Sequence, residues 1–214
     1  VCFDEPMRKH TTFQAGGPAK VFVTPQTASE LASVIRLCRE FEKPYFILGN
    51  GSNLLVSDEG YEGVVIHVGR AFEDVRVEGS RILAGAGATL SKTAAAARDA
   101  SLSGLEFASG IPGTVGGALV MNAGAYGGEM AQVVRGVRVL TKDGEEKRLE
   151  ASELEMGYRK SCILPRGYIV IEAEFLLSRG DKEEIRSRME ELAARRKEKQ
   201  PLEYASAGST FKRP

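Results

Sequence analysis

Charge is missing from the middle of this chain. Between Glu106 and Glu129 lie 22 residues (FASGIPGTVGGALVMNAGAYGG) with no Asp, Glu, Lys or Arg, and seven of them are glycine. Their number matches a bilayer crossing, but Pro112, Asn122 and the glycines leave too few strongly apolar side chains for one. The chain as a whole has no net charge either, with 29 basic against 29 acidic residues in 214, which argues against nucleic acid as its main partner. Cysteine is scarce: Cys2, Cys38 and Cys162 are odd in number and carry no CxxC spacing, so neither a disulfide framework nor a zinc site is indicated, and a reducing cytoplasm fits. The two histidines, His10 and His67, stand far from one another and from the cysteines in sequence, which gives a metal-dependent mechanism little to work with. No signal peptide is expected, since no charged segment leading into an apolar run is visible, and the sequence given has no internal repeat and no GxxxxGK[ST] phosphate loop. The starting residue, Val1, leads us to expect that some native sequence is absent.

What the chain does have is glycine in two dense clusters. A run of glycine exposes main-chain amides and tolerates positive φ, so it can fold into a nest of N–H donors around an anion or a flat ring. The first cluster is Gly49-Asn50-Gly51-Ser52-Asn53 and the second is the uncharged run. Together they point to a large phosphorylated cofactor held by main chain and by small polar side chains. Tight turns alone are the bland alternative.

Around these clusters strands and helices intermingle without a regular alternation. Residues 20–24 have strand character, Thr27 to Glu30 have a capping-box spacing, and Leu31, Val34, Ile35, Cys38 and Phe41 recur at helical spacing until Pro44. Residues 45–48 form a short apolar strand entering the first glycine turn, giving a β-α-β unit that ends in a ligand loop. Further strands are expected at 64–68, 75–77, 82–84, 137–140, 147–149 and 169–177, with an Asp143-Gly144 hairpin turn between the fourth and fifth of them. Helices are expected over 89–100 and 181–199, the latter with Ile185, Met189, Leu192 and Ala193 on one face. The class is α+β. A Rossmann sheet is disfavoured, because Leu90 stands where the third glycine of a GxGxxG beginning at Gly85 should be.

Five segments in order carry a resemblance across nearly the whole chain. They are Thr11-Thr12-Phe13, LGNGSNLLV (48–56), GLEFASGIPGTVGGALVMNAGAYGGE (104–129), GYRKS (157–161) and SAGSTFKRP (206–214). Together they resemble the UDP-N-acetylenolpyruvoylglucosamine reductase family. The resemblance implies a cytoplasmic flavoenzyme of peptidoglycan precursor synthesis, with a vanillyl-alcohol-oxidase-like (PCMH-type) FAD-binding domain of two α+β subdomains. Residues 1–69 and 70–199 would be the two subdomains, and 200–214 the start of a substrate-binding domain. The family continues past the point where this sequence stops, into a segment with its catalytic glutamate, so a C-terminally truncated member is expected. The short stretch between Arg159 and Ile169 fits the family branch without an inserted tyrosine loop.

By resemblance, FAD would be lined by Gly49, Asn50, Gly51, Ser52, Asn53 and Leu54, by Pro112, Gly113, Thr114, Gly116 and Gly117, and by Asn122, Ala123, Gly124, Ala125 and Tyr126. NADPH would reduce the flavin, and the flavin would reduce the enolpyruvyl ether of a UDP-sugar. Arg159 matches the catalytic arginine that holds the developing carboxylate-conjugated charge, and a planar guanidinium suits that task better than a lysine. Ser209 matches the serine that protonates the enol carbon. Lys199 and Tyr158 match substrate-binding positions, with a helix-end cation and plain packing as their respective alternatives. Cys162 and His67 are expected to be a packed thiol and a satisfied imidazole. No metal, nucleic acid or membrane partner is expected, and a monomer is. The competing readings are an FAD-binding fragment without turnover and another oxidoreductase of the same flavin fold.

Overall fold

In the computed structural model, which describes residues 1–200 with 204 and 205, the chain opens with a strand that its sequence pattern did not announce, β1 (Cys2–Pro6). It pairs antiparallel with β2 (Pro18–Val23). Helix α1 (Ala28–Glu40) follows; the Thr27 hydroxyl accepts the Glu30 amide at 3.1 Å, while the Glu30 carboxylate reaches back to the Gln26 amide at 2.8 Å. The helix ends at Phe41, just before Pro44, and β3 (Tyr45–Leu48) and β4 (Tyr61–His67) complete a four-stranded sheet ordered β1-β2-β4-β3. β2, β4 and β3 run parallel, so their carboxyl ends lie together, and the first glycine loop leaves from that edge.

The second sheet is antiparallel throughout. β5 (Val75–Glu78) and β6 (Arg81–Gly85) form a hairpin, then α2 (Leu90–Asp99) crosses back over them, capped by Thr89. The short strand β7 (Leu102–Ser103) precedes the uncharged stretch, which holds helix α3 (Val115–Val120) and the hairpin of β8 (Gly124–Ala125) and β9 (Gly128–Glu129), closing at Glu129. β10 (Val134–Leu140) and β11 (Glu146–Glu150) turn at Gly144, whose φ is +78°. β12 (Ile169–Leu176) then inserts between β10 and β6, giving the order β11-β10-β12-β6-β5. β13 (Ser178–Arg179) pairs with β7, and α4 (Lys182–Lys199) closes the description, its Asp181 cap accepting the Glu183 and Glu184 amides.

Side-chain alternation sets the two faces of the second sheet. Ile171, Ala173 and Phe175 of β12 are buried, while Glu172 and Glu174 project to a face where Arg76, Arg138, Arg81 and Arg148 meet them. The Arg148 guanidinium, and then Arg81, hold the Glu174 carboxyl below the usual carboxylate range. The buried face of α1 (Leu31, Ala32, Ile35) and Ile66 of β4 share one apolar cluster with Ile82, Val137, Ala173 and Phe175 of the second sheet. A smaller cluster of Met7, Ala19, Phe22, Leu48 and Val65 lies on the opposite face of the first sheet. On α4, Ile185 and Leu192 are buried and Met189 is partly so, but Ala193 is exposed, because the helix touches the body by a narrower stripe than its sequence implies. No helix among the described residues is long and apolar enough to cross a membrane.

Candidate functional site

The two glycine clusters meet. The loop leaving β3 lies against the cap of α3, so close that a Cβ on Gly49 would stand 2.5 Å from Thr114 Oγ1. Asn50 Nδ2 donates to the Pro112 carbonyl at 3.0 Å, stitching one loop to the other. Gly51 has φ +61°, and a Cβ there would come within 1.9 Å of the His10 carbonyl, so this position requires glycine both for its conformation and for its neighbour. The consequence is chemical. The amides of Gly49, Asn50, Gly51, Ser52 and Asn53 donate to no acceptor among the described residues. Main-chain donors left bare in succession need water or a ligand, and consecutive ones suit a phosphate. Leu54 instead turns its side chain onto the smaller apolar cluster.

The second loop has a different economy. Thr114 Oγ1 is occupied as the cap of α3, accepting the Gly117 amide at 3.4 Å. Val115 and Gly116 donate to the carbonyls of Ala88 and Ala86 at 2.8 and 2.9 Å. A Cβ on Gly116 would meet Ala86 Cβ at 3.1 Å, so its close approach is to its own chain rather than to a ligand. Gly113 has room, its nearest neighbour being Ser52 Oγ at 3.8 Å, and Gly117 and Pro112 are exposed.

α3 separates this end from the arginine by six residues, about 9 Å at 1.5 Å per residue. Past its C-terminus, Asn122 is fully buried. Its Oδ1 accepts the Ala131 amide at 2.9 Å and its Nδ2 donates to the Gly157 carbonyl at 3.1 Å, so both ends of the amide are spent inside the protein. That second bond anchors a tight turn closed between Gly157 and Lys160, at whose tip Arg159 sits with φ +55°. The guanidinium donates from Nη2 to the Gly124 carbonyl at 3.1 Å and from Nη1 to the Asn122 carbonyl at 3.5 Å, and lies 5.2 Å from the centroid of the half-exposed Tyr158 ring. A non-glycine residue in the left-handed region, held by neighbours, is the kind of strain that functional sites carry. Gly124 is required by the β8–β9 pairing, since a Cβ would lie 2.6 Å from the Gly128 carbonyl, and Tyr126 stands exposed at the hairpin tip with φ +54°. Ala123 and Ala125 are partly buried in the same wall. The structure thus brings Arg159 to the second glycine segment and the first glycine loop to α3. Lys199 is exposed in the last turn of α4, one turn beyond Arg196, which packs on Gly110 at the entrance to the second loop. Ser209 lies outside the described residues.

Sequence reasoning left His10 and His67 apart, yet they converge. A pocket of about 300 Å³ beside the first glycine loop is lined by residues 9–12 with Gly49, Asn50 and His67. Burial pushes the His67 imidazole below its ordinary range, and the neighbouring His10 adds in the same direction. No sequence signal marks this pairing. Cys162, as expected, is a packed thiol, its Sγ 3.2 Å from the Glu153 carbonyl and raised by burial.

Comparison with known proteins follows the same geometry. Residues 19–150 match the family model described as an FAD binding domain. The chain is 51% identical over 211 residues to UDP-N-acetylenolpyruvoylglucosamine reductase of Clostridioides difficile (strain 630), covering 99% of this chain and 69% of that protein. A crystal structure of UDP-N-acetylenolpyruvylglucosamine reductase from Thermus caldophilus superimposes with a TM-score of 0.85 at 42% identity, over 98% of this chain and 73% of that one. The 6-hydroxy-D-nicotine oxidase of Arthrobacter nicotinovorans, at 19% identity and a TM-score of 0.57 over 74% of this chain and 36% of its own, shares the fold alone.

Proposed function

Because the chain belongs to the UDP-N-acetylenolpyruvoylglucosamine reductase family, we propose that it carries the FAD-binding part of an oxidoreductase that reduces UDP-N-acetylglucosamine enolpyruvate to UDP-N-acetylmuramate with NADPH. The observation that carries this reading is the run of five bare amides at Gly49, Asn50, Gly51, Ser52 and Asn53, set against the Thr114 cap. Amide dipoles neutralise a pyrophosphate without ordering flexible cationic side chains, which suits a cofactor that stays bound. The residues present therefore fit FAD: the first loop would hold the pyrophosphate, with Gly113, Thr114 and Gly117 on the facing wall. The residues 122–126 would continue that wall through their main chain. FAD, when bound, supplies the hydride carrier between NADPH and the enolpyruvyl double bond.

This chain's own groups do the rest. Hydride addition at the terminal carbon leaves negative charge conjugated with the substrate carboxylate. Arg159, already oriented by the carbonyls of Gly124 and Asn122, would hold that charge in a preorganised fork. Tyr158 would flank it, Lys199 would take an anionic part of the UDP-sugar, and Ser209 would return the proton. We assign residues 1–69 and 70–199 to the two flavin-binding halves and 200–214 to the start of the substrate domain. A cytoplasmic monomer without a nucleic-acid or membrane partner completes the reading.

The test is an absorption spectrum of the purified chain with added FAD, then with NADPH under anaerobic conditions. Binding is expected to perturb the flavin bands and NADPH to bleach them. If flavin bands at saturating FAD stay those of the free cofactor, the reading fails. If the bound flavin stays oxidised with NADPH, the chain is an FAD-binding module without this half-reaction.

A further inference from the structure

The chain's only two histidines stand in one aromatic stack at the carboxyl edge of the parallel strands. His10 lies on the Phe22 ring with centroids 4.3 Å apart, and the His67 centroid is 5.7 Å from Phe22 and 6.1 Å from His10. The Glu5 carboxylate accepts from His10 Nε2 at 3.0 Å and pairs with Lys9 Nζ at 3.5 Å, so His10 is held from the edge strand. Both imidazoles line the pocket of about 300 Å³ whose far wall is Gly49 and Asn50, the first two of the bare amides. Among the described residues no carboxylate lines that pocket; two imidazoles, an ammonium, two threonines and the Asn50 amide do. That is a lining for an anion.

We propose that His10 and His67 form a second anion-binding element of the flavin site, engaging a phosphate of the dinucleotide whose other phosphate oxygens meet the amides of residues 49–53. The proposal rests on the FAD reading given above. Its physical consequence is a coupling between flavin affinity and protons. Burial first, and then His10, push the His67 imidazole below its ordinary range. An anion in contact favours the protonated ring and so raises the imidazole's proton affinity; binding therefore takes up protons, and affinity rises as pH falls. The ionisable groups facing the stack are Glu5 on β1 and Lys9 and His10 on the turn after it; β2 contributes Phe22, and the loop after β3 contributes Gly49 and Asn50, none of which titrates. The dependence around neutrality is thus carried by the His67 imidazole.

The experiment is FAD titration of the full chain by flavin fluorescence at about pH 6 and about pH 8, at constant ionic strength. The expected result is about threefold to tenfold tighter binding at the lower pH, a dependence that His67→Gln flattens. His10→Phe keeps the stack on Phe22 while removing one imidazole from the pocket, and it is expected to reduce the dependence too. Should His67→Gln fail to fold, as judged by its thermal melt, His10→Phe still decides the matter. Equal wild-type affinity at both pH values, or an undiminished dependence in both variants, would overturn the proposal while leaving the FAD reading intact. Absence of saturable binding at either pH overturns the FAD reading and the proposal with it.

Discussion

Asn122 illustrates how a side chain can look like a ligand contact and act as a rivet. It sits in an uncharged, glycine-rich stretch beside Arg159, where sequence reasoning places it in the cofactor wall. Its amide is instead spent on the Ala131 amide and the Gly157 carbonyl, and its own carbonyl receives Arg159. Those partners are remote in sequence, so nothing in the local pattern could expose the role. Asn122→Ala leaves two buried groups unpaired and is expected to cost about 2–4 kcal/mol, read from the denaturant midpoint. It also releases the turn that holds Arg159 at φ +55°. A loss under about 0.5 kcal/mol would mean that water replaces the amide without strain. The first glycine loop was more transparent. Gly51 is glycine for a reason the residue type itself implies, positive φ and a carbonyl against its Cα, whereas the convergence of His10 and His67 had no signature at all.

Among the elements, α3 is one that sequence pattern could not deliver. Gly116 and Gly117 each cost a helix about 1 kcal/mol relative to alanine, so propensity argues for a loop there. The helix forms because Thr114 caps it through the Gly117 amide, because the amides of Val115 and Gly116 bond the carbonyls of Ala88 and Ala86, and because Val115, Ala118 and Leu119 are buried. The longer elements were legible where an apolar period persists, as in α1 and β12, and their ends were less so: β10 begins at Val134 rather than at residue 137. The exposed β1 has one apolar position and no period to read. The crowding at α3 separates two glycines. Gly116→Val drives carbon into Ala86 and is expected to destabilise the fold by about 1–3 kcal/mol, flavin or no flavin. Gly113→Ala meets nothing nearer than 3.8 Å and is expected to melt as the parent does. Equal melting temperatures for both variants would contradict this packing.

Across the whole molecule, the two sheets are joined by one apolar cluster from Leu31 and Ile66 to Phe175. Such continuity favours a single cooperative unfolding transition, although the sheets draw their strands from separate stretches of chain. Phe175→Ala, which opens a cavity under the second sheet, is expected to cost about 3–5 kcal/mol and to weaken both sheets together. Circular dichroism and tryptophan-free tyrosine fluorescence would follow the same curve; two separated transitions would show that the halves unfold independently. The fold class was legible because strands and helices intermingle without a regular alternation, but the shared core was not, since it depends on which faces oppose.

The insertion of β12 between β10 and β6 has a bearing on when the protein matures. The Ala86 amide bonds the Ile171 carbonyl of β12, and the Ala86 carbonyl in turn receives the Gly116 amide, so the footing of the second glycine loop passes through a strand that follows both glycine loops in the chain. A nascent chain still on the ribosome carries both glycine loops long before that strand exists. The second loop therefore gains its footing only once β12 has paired, and this part of the site is completed together with the second sheet rather than loop by loop.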